Sequence, residues 1–444
     1  MWAAVINTLI GIWIMVSPGL LHFDKNAANN HYVVGPLIIT IAIAAIWEVN
    51  RSIRYFNLLA GLWLVISPFM ISYQQQDAIW ISVISGLLIA MFSLIQGKIA
   101  HQYGGGWRIL FESNRKFFQD KVIVITGATG GVGRVAAWAF AKQGAKVALI
   151  ARDPSQLEGT KKEIEVYGGE ALSIMADVAD AEQLEEAIAK IEEHFGAIDV
   201  LVNNAMNSVF APFHNITPGE FKRVTDVTYL GTVYCTMSVL KRMRNRNKGA
   251  IIFVGSALAY RGIPLQSAYC GSKHAIQGFY DSLRTELMHD KLNIKTCMVQ
   301  LPAMNTTQFD WVLNKLPNKG RPMGKVYMPE VAARAIVFAA KHNRREILVG
   351  FPSYQAIIGN KIAPWYADWV LSRKGYKGQQ TTEPVDPDRK NNLWNAVAED
   401  RGAYGNFGDE ATNKSFTLWI AMNRNLVRLT VLIAIIVLLS YFIF

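Results

Sequence analysis

Four apolar stretches, at roughly residues 2–22, 32–48, 56–73 and 78–97, open the chain and limit what its first part can become. Each is near the length that an α-helix needs to cross the hydrocarbon core of a bilayer. The first lacks a basic start and a small-residue cleavage site, and three more such segments follow. It is therefore expected to stay as a membrane helix rather than be removed as a signal. Residues 1–97 are almost free of charge, whereas the whole chain carries a net charge of +11. That excess suits an anionic lipid surface. The Lys and Arg residues are dispersed or lie beside apolar segments, so a nucleic-acid partner is not expected. Cys235, Cys270 and Cys297 have no metal-ligand spacing, and neither a zinc site nor a disulfide framework is expected.

The apolar region repeats itself. Asn7, Gly11, Trp13, Ser17 and Pro18 recur as Asn57, Gly61, Trp63, Ser67 and Pro68, a period of two helices. With Trp followed by Ser-Pro near each helix end, residues 1–97 resemble a pair of SPW repeats. Ser-Pro in such a place stops or kinks a helix, and a structural role is expected for this module. Arg51 and Arg54 lie in the second loop, and Lys98, Arg108, Arg115, Lys116 and Lys121 follow the fourth segment. The first loop holds Lys25 beside Asp24, and the third has no basic residue. The positive-inside rule then puts the chain start and everything after residue 98 in the cytoplasm, with a bacterial inner membrane as the expected location.

Residues 98–120 read as a basic, aromatic linker with a glycine hinge at Gly104–Gly106. From 121 to 351 the pattern alternates. Short apolar strands at 122–126, 146–151, 171–175, 198–202, 251–254, 294–299 and 346–349 are separated by helical stretches. Such alternation predicts an α/β fold with a doubly wound parallel sheet of Rossmann type. Residues 352–425 form an extension with an aromatic amphipathic helix over 354–371, interrupted by Pro364, and a polar loop over 374–392. Residues 426–444 are strongly apolar behind Arg424 and Arg428 and predict a C-terminal transmembrane helix.

The chemistry is concentrated in a few positions. Gly127, Gly130, Gly131 and Gly133 follow the first strand and open a helix. Glycines there let the backbone turn tightly and approach a pyrophosphate, which the helix N-terminus attracts. Tyr269 and Lys273 lie one helical turn apart, with Ser256 upstream. A lysine ammonium beside a phenol lowers the phenol pKa, and such a tyrosine can exchange a proton with a carbonyl or alcohol oxygen. With Asp177 after the third strand and Asn203-Asn204-Ala205 after the fourth, residues 121–351 resemble the short-chain dehydrogenase/reductase family.

That resemblance implies a hydride transfer between a nicotinamide cofactor and a carbonyl or secondary alcohol. Tyr269 would be the general acid/base, Ser256 would stabilise the substrate oxygen, and Lys273 would bind the nicotinamide ribose and tune Tyr269. Asp177 would contact the adenine, and Asn203 would line the cofactor cleft. Thr129, Gly130, Gly131, Val132, Gly133, Val178, Ala205 and Pro302 complete the implied cofactor set around Gly127. The second strand ends in Ala151-Arg152, a neutral residue where NAD-binding members often carry an acid. Arg152 can pair with a 2′-phosphate, which favours NADP(H) over NAD(H).

Three positions depart from the family pattern. Thr228 stands where a relay asparagine is usual, and its hydroxyl is expected to hold a water. Met206 and Ala303 replace usual glycines. The resulting reading is a membrane-anchored oxidoreductase with a lipophilic substrate. The family resemblance implies a homodimer through the helix carrying Tyr269 and the one before it. The alternative is an NADP(H)-binding membrane redox sensor or scaffold with little turnover.

Overall fold

The structure, a computed structural model, describes residues 2–46, 51–95, 116–428 and 430–431. It divides into two compact units, one holding the N-terminal helices and the other spanning Lys116–Leu429. The N-terminal unit contains helices α1 (Trp2–Leu21), α2 (Lys25–Ala44), α3 (Arg54–Met70) and α4 (Gln76–Ser93). The second helix starts seven residues earlier than the apolar run beginning at residue 32, because Asp24 caps it by accepting from the Asn26 and Ala27 N–H groups. Among the described residues, α1, α2 and α4 are long and apolar enough to cross a membrane. The shorter α3 has 17 residues.

The repeated residues explain how these helices pack. A Cβ on Gly61 would sit 2.6 Å from the Gly86 carbonyl oxygen, so the α3–α4 backbones touch where only glycine fits. Asn7 donates to Ser93, Asn30 to Ser67, and His31 shares a 2.6 Å hydrogen bond with Ser82. These side-chain pairs satisfy donors facing across the bundle, as a low-dielectric interior favours. Ser17-Pro18 and Ser67-Pro68 lie in the last turns of α1 and α3, near the helix ends as expected, without breaking either helix.

The second unit is a seven-stranded parallel sheet sandwiched by helices, of Rossmann type. Its elements run β1 (Val122–Thr126), α5 (Gly131–Ala141), β2 (Lys146–Ala151), α6 (Pro154–Val166), β3 (Glu170–Met175), α7 (Ala181–Phe195) and β4 (Ile198–Asn203). They continue as α8 (Pro218–Thr225), α9 (Gly231–Arg246), β5 (Gly249–Ser256), α10 (Ser267–His289), β6 (Ile294–Leu301), α11 (Pro329–Lys341) and β7 (Glu346–Leu348). The spatial order is β7-β6-β5-β4-β1-β2-β3. All five residues of β1 are buried, as expected of a central strand covered on both faces. Helices α5, α6 and α11 fill one face, and α7, α9 and α10 fill the other. The order reverses at β1, between β4 and β2, and a crevice opens at the strand ends there.

Outside the sheet, the extension is more ordered than its composition predicts. The stretch over 354–371 is two helices, α12 (Phe351–Ile362) and α13 (Pro364–Gly378), with Pro364 at the first turn of the second. Proline there lacks only an N–H that would be unpaired anyway. The expected polar loop begins inside α13, and Gln380–Pro384 pairs antiparallel with Asn318–Gly320. A short helix, α14 (Phe416–Met422), buries Leu418 and Ala421 in the core. Phe118, read from sequence as part of the basic, aromatic linker, is fully buried 4.9 Å from Phe140. The rest of that linker up to 115, and most of the expected C-terminal helix at 426–444, lie outside the described residues.

Candidate active site

The crevice is a cleft of about 500 Å³ running from Arg152 and Asp177 to Ser256 and Tyr269. Its floor is the glycine turn between β1 and α5. Gly127 has φ 63°, a left-handed conformation that suits glycine. A Cβ on Gly133 would meet the Gly127 carbonyl oxygen at 2.2 Å, so Gly133 serves the close packing of the turn rather than the cleft wall. The turn is pinned from β4 by Asn204, whose side chain donates to the Thr126 and Gly127 carbonyls at 3.0 Å. The Thr126 hydroxyl in turn accepts from the Asn204 and Ala205 N–H groups. Gly127, Thr129, Gly130, Gly131 and Val132 face the cleft from this turn, while Val178, Ala205 and Pro302 line it elsewhere.

Asn203 does not. It is buried, donates to Thr236 at 2.9 Å, and holds α9 to β4. Its alternation along the strand sends it into the layer behind the sheet, and Asn204 takes the place expected of it. Thr228 is also withdrawn. It sits in a single widened helical turn, Asp226–Leu230, ahead of α9. There its hydroxyl donates to the Asn207 carbonyl at 3.1 Å and accepts from the Asn207 N–H at 3.2 Å. Its donor and one acceptor position are used on Asn207, so it fastens a loop and does not line the cleft.

Ser256 ends β5, and its hydroxyl accepts from the Leu258 N–H at 3.1 Å. Its hydroxyl is close enough to Tyr269 to favour the ionised phenol. Tyr269 and Lys273 come from the first turns of α10. Lys273 is buried and donates from Nζ to the Val254 carbonyl at 2.7 Å, with Nζ 5.5 Å from the Tyr269 ring centre. The expected depression of the Tyr269 pKa by Lys273 is not what this arrangement gives. Burial pushes the phenol up, with Ser256 opposing it, and Lys273 is engaged with the backbone instead. Burial pushes Lys273 down, to about 8.

At the other end of the cleft stands a part that sequence reasoning missed. A strap formed by Asn391–Asp400 crosses the tips of α5, α6 and α8. Arg152 donates to the Asn392 carbonyl at 2.6 Å and the Trp394 carbonyl at 2.9 Å. Arg223 donates to the Leu393 carbonyl and to Asp177, and Gln156 donates to strap carbonyls as well. Arg134, only 2% exposed, uses all its donors. It holds Glu163 on α6, Asp400 on the strap and the Thr129 carbonyl of the glycine turn. Its two carboxylates and five hydrogen bonds keep it charged. Asn392, Ala396 and Val397 thereby become cleft wall. Nothing local in the sequence marks this pairing, since Arg134 and Asp400 are 266 residues apart.

Similarity to known proteins agrees with the geometry. The short chain dehydrogenase family matches residues 121–315, and the SPW repeat domain matches residues 1–96. An uncharacterized oxidoreductase of Bacillus subtilis, YxnA, is 32% identical over 293 residues, covering 65% of this chain and 82% of its own. The chain belongs to the short-chain dehydrogenase/reductase family. Human dehydrogenase/reductase SDR family member 7 is 32% identical over 67% of this chain and 91% of its own. The 3-dehydrosphinganine reductase of Danio rerio is 33% identical over 48% of this chain and 67% of its own. The protein is thus an oxidoreductase of CH–OH and C=O groups that carries a membrane-associated SPW module.

The cleft fits the nicotinamide dinucleotide that the family implies. The glycine turn leaves its backbone bare toward the cleft, and the cleft extends without a break from Arg152 to Tyr269. Arg152 spends two N–H groups on the strap and has three more to offer an anion.

Proposed function

We propose that this protein is a membrane-anchored, NADP(H)-dependent reductase of a lipophilic carbonyl compound, with Tyr269 as the proton donor. The observation that carries the reading is the convergence of Ser256, Tyr269 and Lys273 at one end of a cleft that has Arg152 at the other. When bound, the dinucleotide supplies the hydride. The substrate carbonyl oxygen would take the Tyr269 proton. The Ser256 hydroxyl steadies the charge that builds on the oxygen. Burial holds the phenol protonated, and a nearby positive charge is what would make it a readier proton donor. Lys273 would turn from Val254 toward the nicotinamide ribose and bring its charge to the site.

Arg152 would hold the 2′-phosphate of NADP(H), preset by the strap carbonyls. Asp177 and Val178 would border the adenine, with Ala396 and Val397 of the strap opposite. The wall beyond Tyr269 is apolar, with Met206, Leu258, Ile263, Phe309 and Met323, which supports a lipophilic substrate. The name of the Danio rerio relative, a 3-dehydrosphinganine reductase, points the same way. In this reading the catalytic unit faces the cytoplasm beneath a bacterial inner membrane, following the loop charges, and two copies pair through α9 and α10.

The test is turnover by purified full-length protein with NADPH or NADH and a graded series of ketones and aldehydes. Rates that rise with chain length and favour NADPH are expected. Cofactor binding with no turnover on any member of the series would sink the proposal.

A further inference from the structure

Helices α12 and α13 carry an unusual surface. Ile358 and Ile362 are exposed on α12, Ile362 at 77%. On α13, Trp365, Tyr366, Trp369 and Tyr376 are exposed, Trp365 at 71%. Positions 365, 369 and 376 fall at helical spacing, so these rings share one face of α13. They also brace one another. Tyr366 stacks on Trp369 at 5.9 Å between ring centres, and the Arg373 guanidinium lies 4.8 Å from the Trp369 ring centre. A soluble surface has no reason to hold a group of large rings open to water, and a contiguous apolar patch of this kind marks an interaction site.

The other faces of the two helices are fixed to the catalytic unit. Ser353 donates to the Val349 carbonyl, and Asn360 to the Tyr260 carbonyl. Arg261 ties both helices down by donating to Asn360 and Asp368. The exposed rings are therefore presented by a rigid pair of helices. Lys361, Arg373, Lys374 and Lys377 are exposed along the same pair, and Asp368, its acidic residue, is already paired with Arg261. Tryptophan and tyrosine rings with a rim of exposed lysines and an arginine match the polar-apolar boundary of an anionic bilayer. The chain carries its own membrane module, so a bilayer is always within reach.

We propose that the outer face of α12 and α13 docks on an anionic phospholipid bilayer, with Trp365 and Trp369 at the depth of the headgroups. Pro352 and Ala356 of α12 also line the catalytic cleft. Docking would therefore set the rim of the cleft against the acyl chains, a route by which a lipophilic carbonyl reaches Tyr269. The docking stands on the surface alone, while the delivery of substrate rests on the reductase reading.

The test uses the full chain in lipid nanodiscs of phosphatidylcholine and phosphatidylglycerol. Cys235, Cys270 and Cys297 are buried, so a spin label attaches selectively to an introduced cysteine. Labels are placed in Trp365→Cys, in Trp369→Cys, and in Val166→Cys as an exposed control, each variant first shown to bind NADPH as the parent does. Collision of the labels at 365 and 369 with a water-soluble nickel chelate is expected to be at least about tenfold lower than at 166, as for side chains a few ångströms below the surface. Equal collision rates at all three positions overturn the docking. Dipolar coupling between labels of two copies, with the same shielding in detergent, overturns it in favour of a self-association surface. Shielding unchanged in discs of phosphatidylcholine alone overturns the anionic part of the proposal. Since depth and not turnover is read, an inactive enzyme would leave the result intact.

Discussion

The two ends of the cleft are assembled in different ways. At the catalytic end, Ser256, Tyr269 and Lys273 come from β5 and the start of α10, which are neighbours in sequence and in space. At the arginine end, Arg134, Arg152 and Gln156 meet a strap that arrives some 240 residues later. The first end is fixed by a strand, a helix and local hydrogen bonds. The second is fixed by one buried guanidinium and a row of backbone carbonyls. The proposed catalytic residues thus sit on a strand and a helix, whereas the strap's bonds lie near the surface and few of its side chains are buried.

If that contrast is right, the largest effect should come from the catalytic end. Lys273→Met is expected to lower kcat by about 10³-fold and to leave the fold intact. Lysine is charged below its pKa, so kcat/KM for reduction should fall as pH rises through about 8 in the parent. Lys273→Arg, whose charge persists, should move that limb to higher pH. A flat profile in the parent would remove Lys273 from the chemistry. At the arginine end, Arg152→Ala should cost about 30-fold in the preference for NADPH over NADH, the worth of a charged hydrogen-bonded pair. Dissociation constants for both dinucleotides measure it, and an equal loss for both would assign Arg152 to strap anchoring alone.

Asp400→Asn loosens the strap without touching the cofactor. Arg134 keeps Glu163 and Thr129, and NADPH dissociation is expected to quicken about tenfold. Displacement kinetics read this directly, and an unchanged rate would mean that the strap does not hold the cofactor in. The smallest effect belongs to Thr228→Val. It should lower stability by about 1–2 kcal/mol through the lost Asn207 bonds and change kcat by less than about twofold. A large loss of kcat at unchanged stability would restore Thr228 to a proton route.

This ranking also separates what the sequence makes legible from what it hides. Strand periodicity and the glycine turn identify the parallel sheet and its switch point, since both are short-range patterns. Ser256, Tyr269 and Lys273 are legible because one strand end and one helix turn suffice to bring them together. Asn203 misleads because adjacent strand residues point to opposite faces, and only the true register tells it from Asn204. Thr228 misleads because a widened turn re-aims it toward Asn207. The strap is invisible because an Arg–Asp pair 266 residues apart leaves no periodic trace. The Tyr269 pKa is misjudged for a related reason: spacing places Lys273 near, but burial and the Val254 carbonyl decide what its charge does.

The most direct measurement compares the parent with Tyr269→Phe in lipid nanodiscs, following NADPH consumption with a long-chain ketone alongside NADPH binding. The account predicts that binding is retained within about twofold while turnover falls by at least about 10²-fold, as for loss of a general acid. Turnover in Tyr269→Phe equal to that of the parent would contradict it.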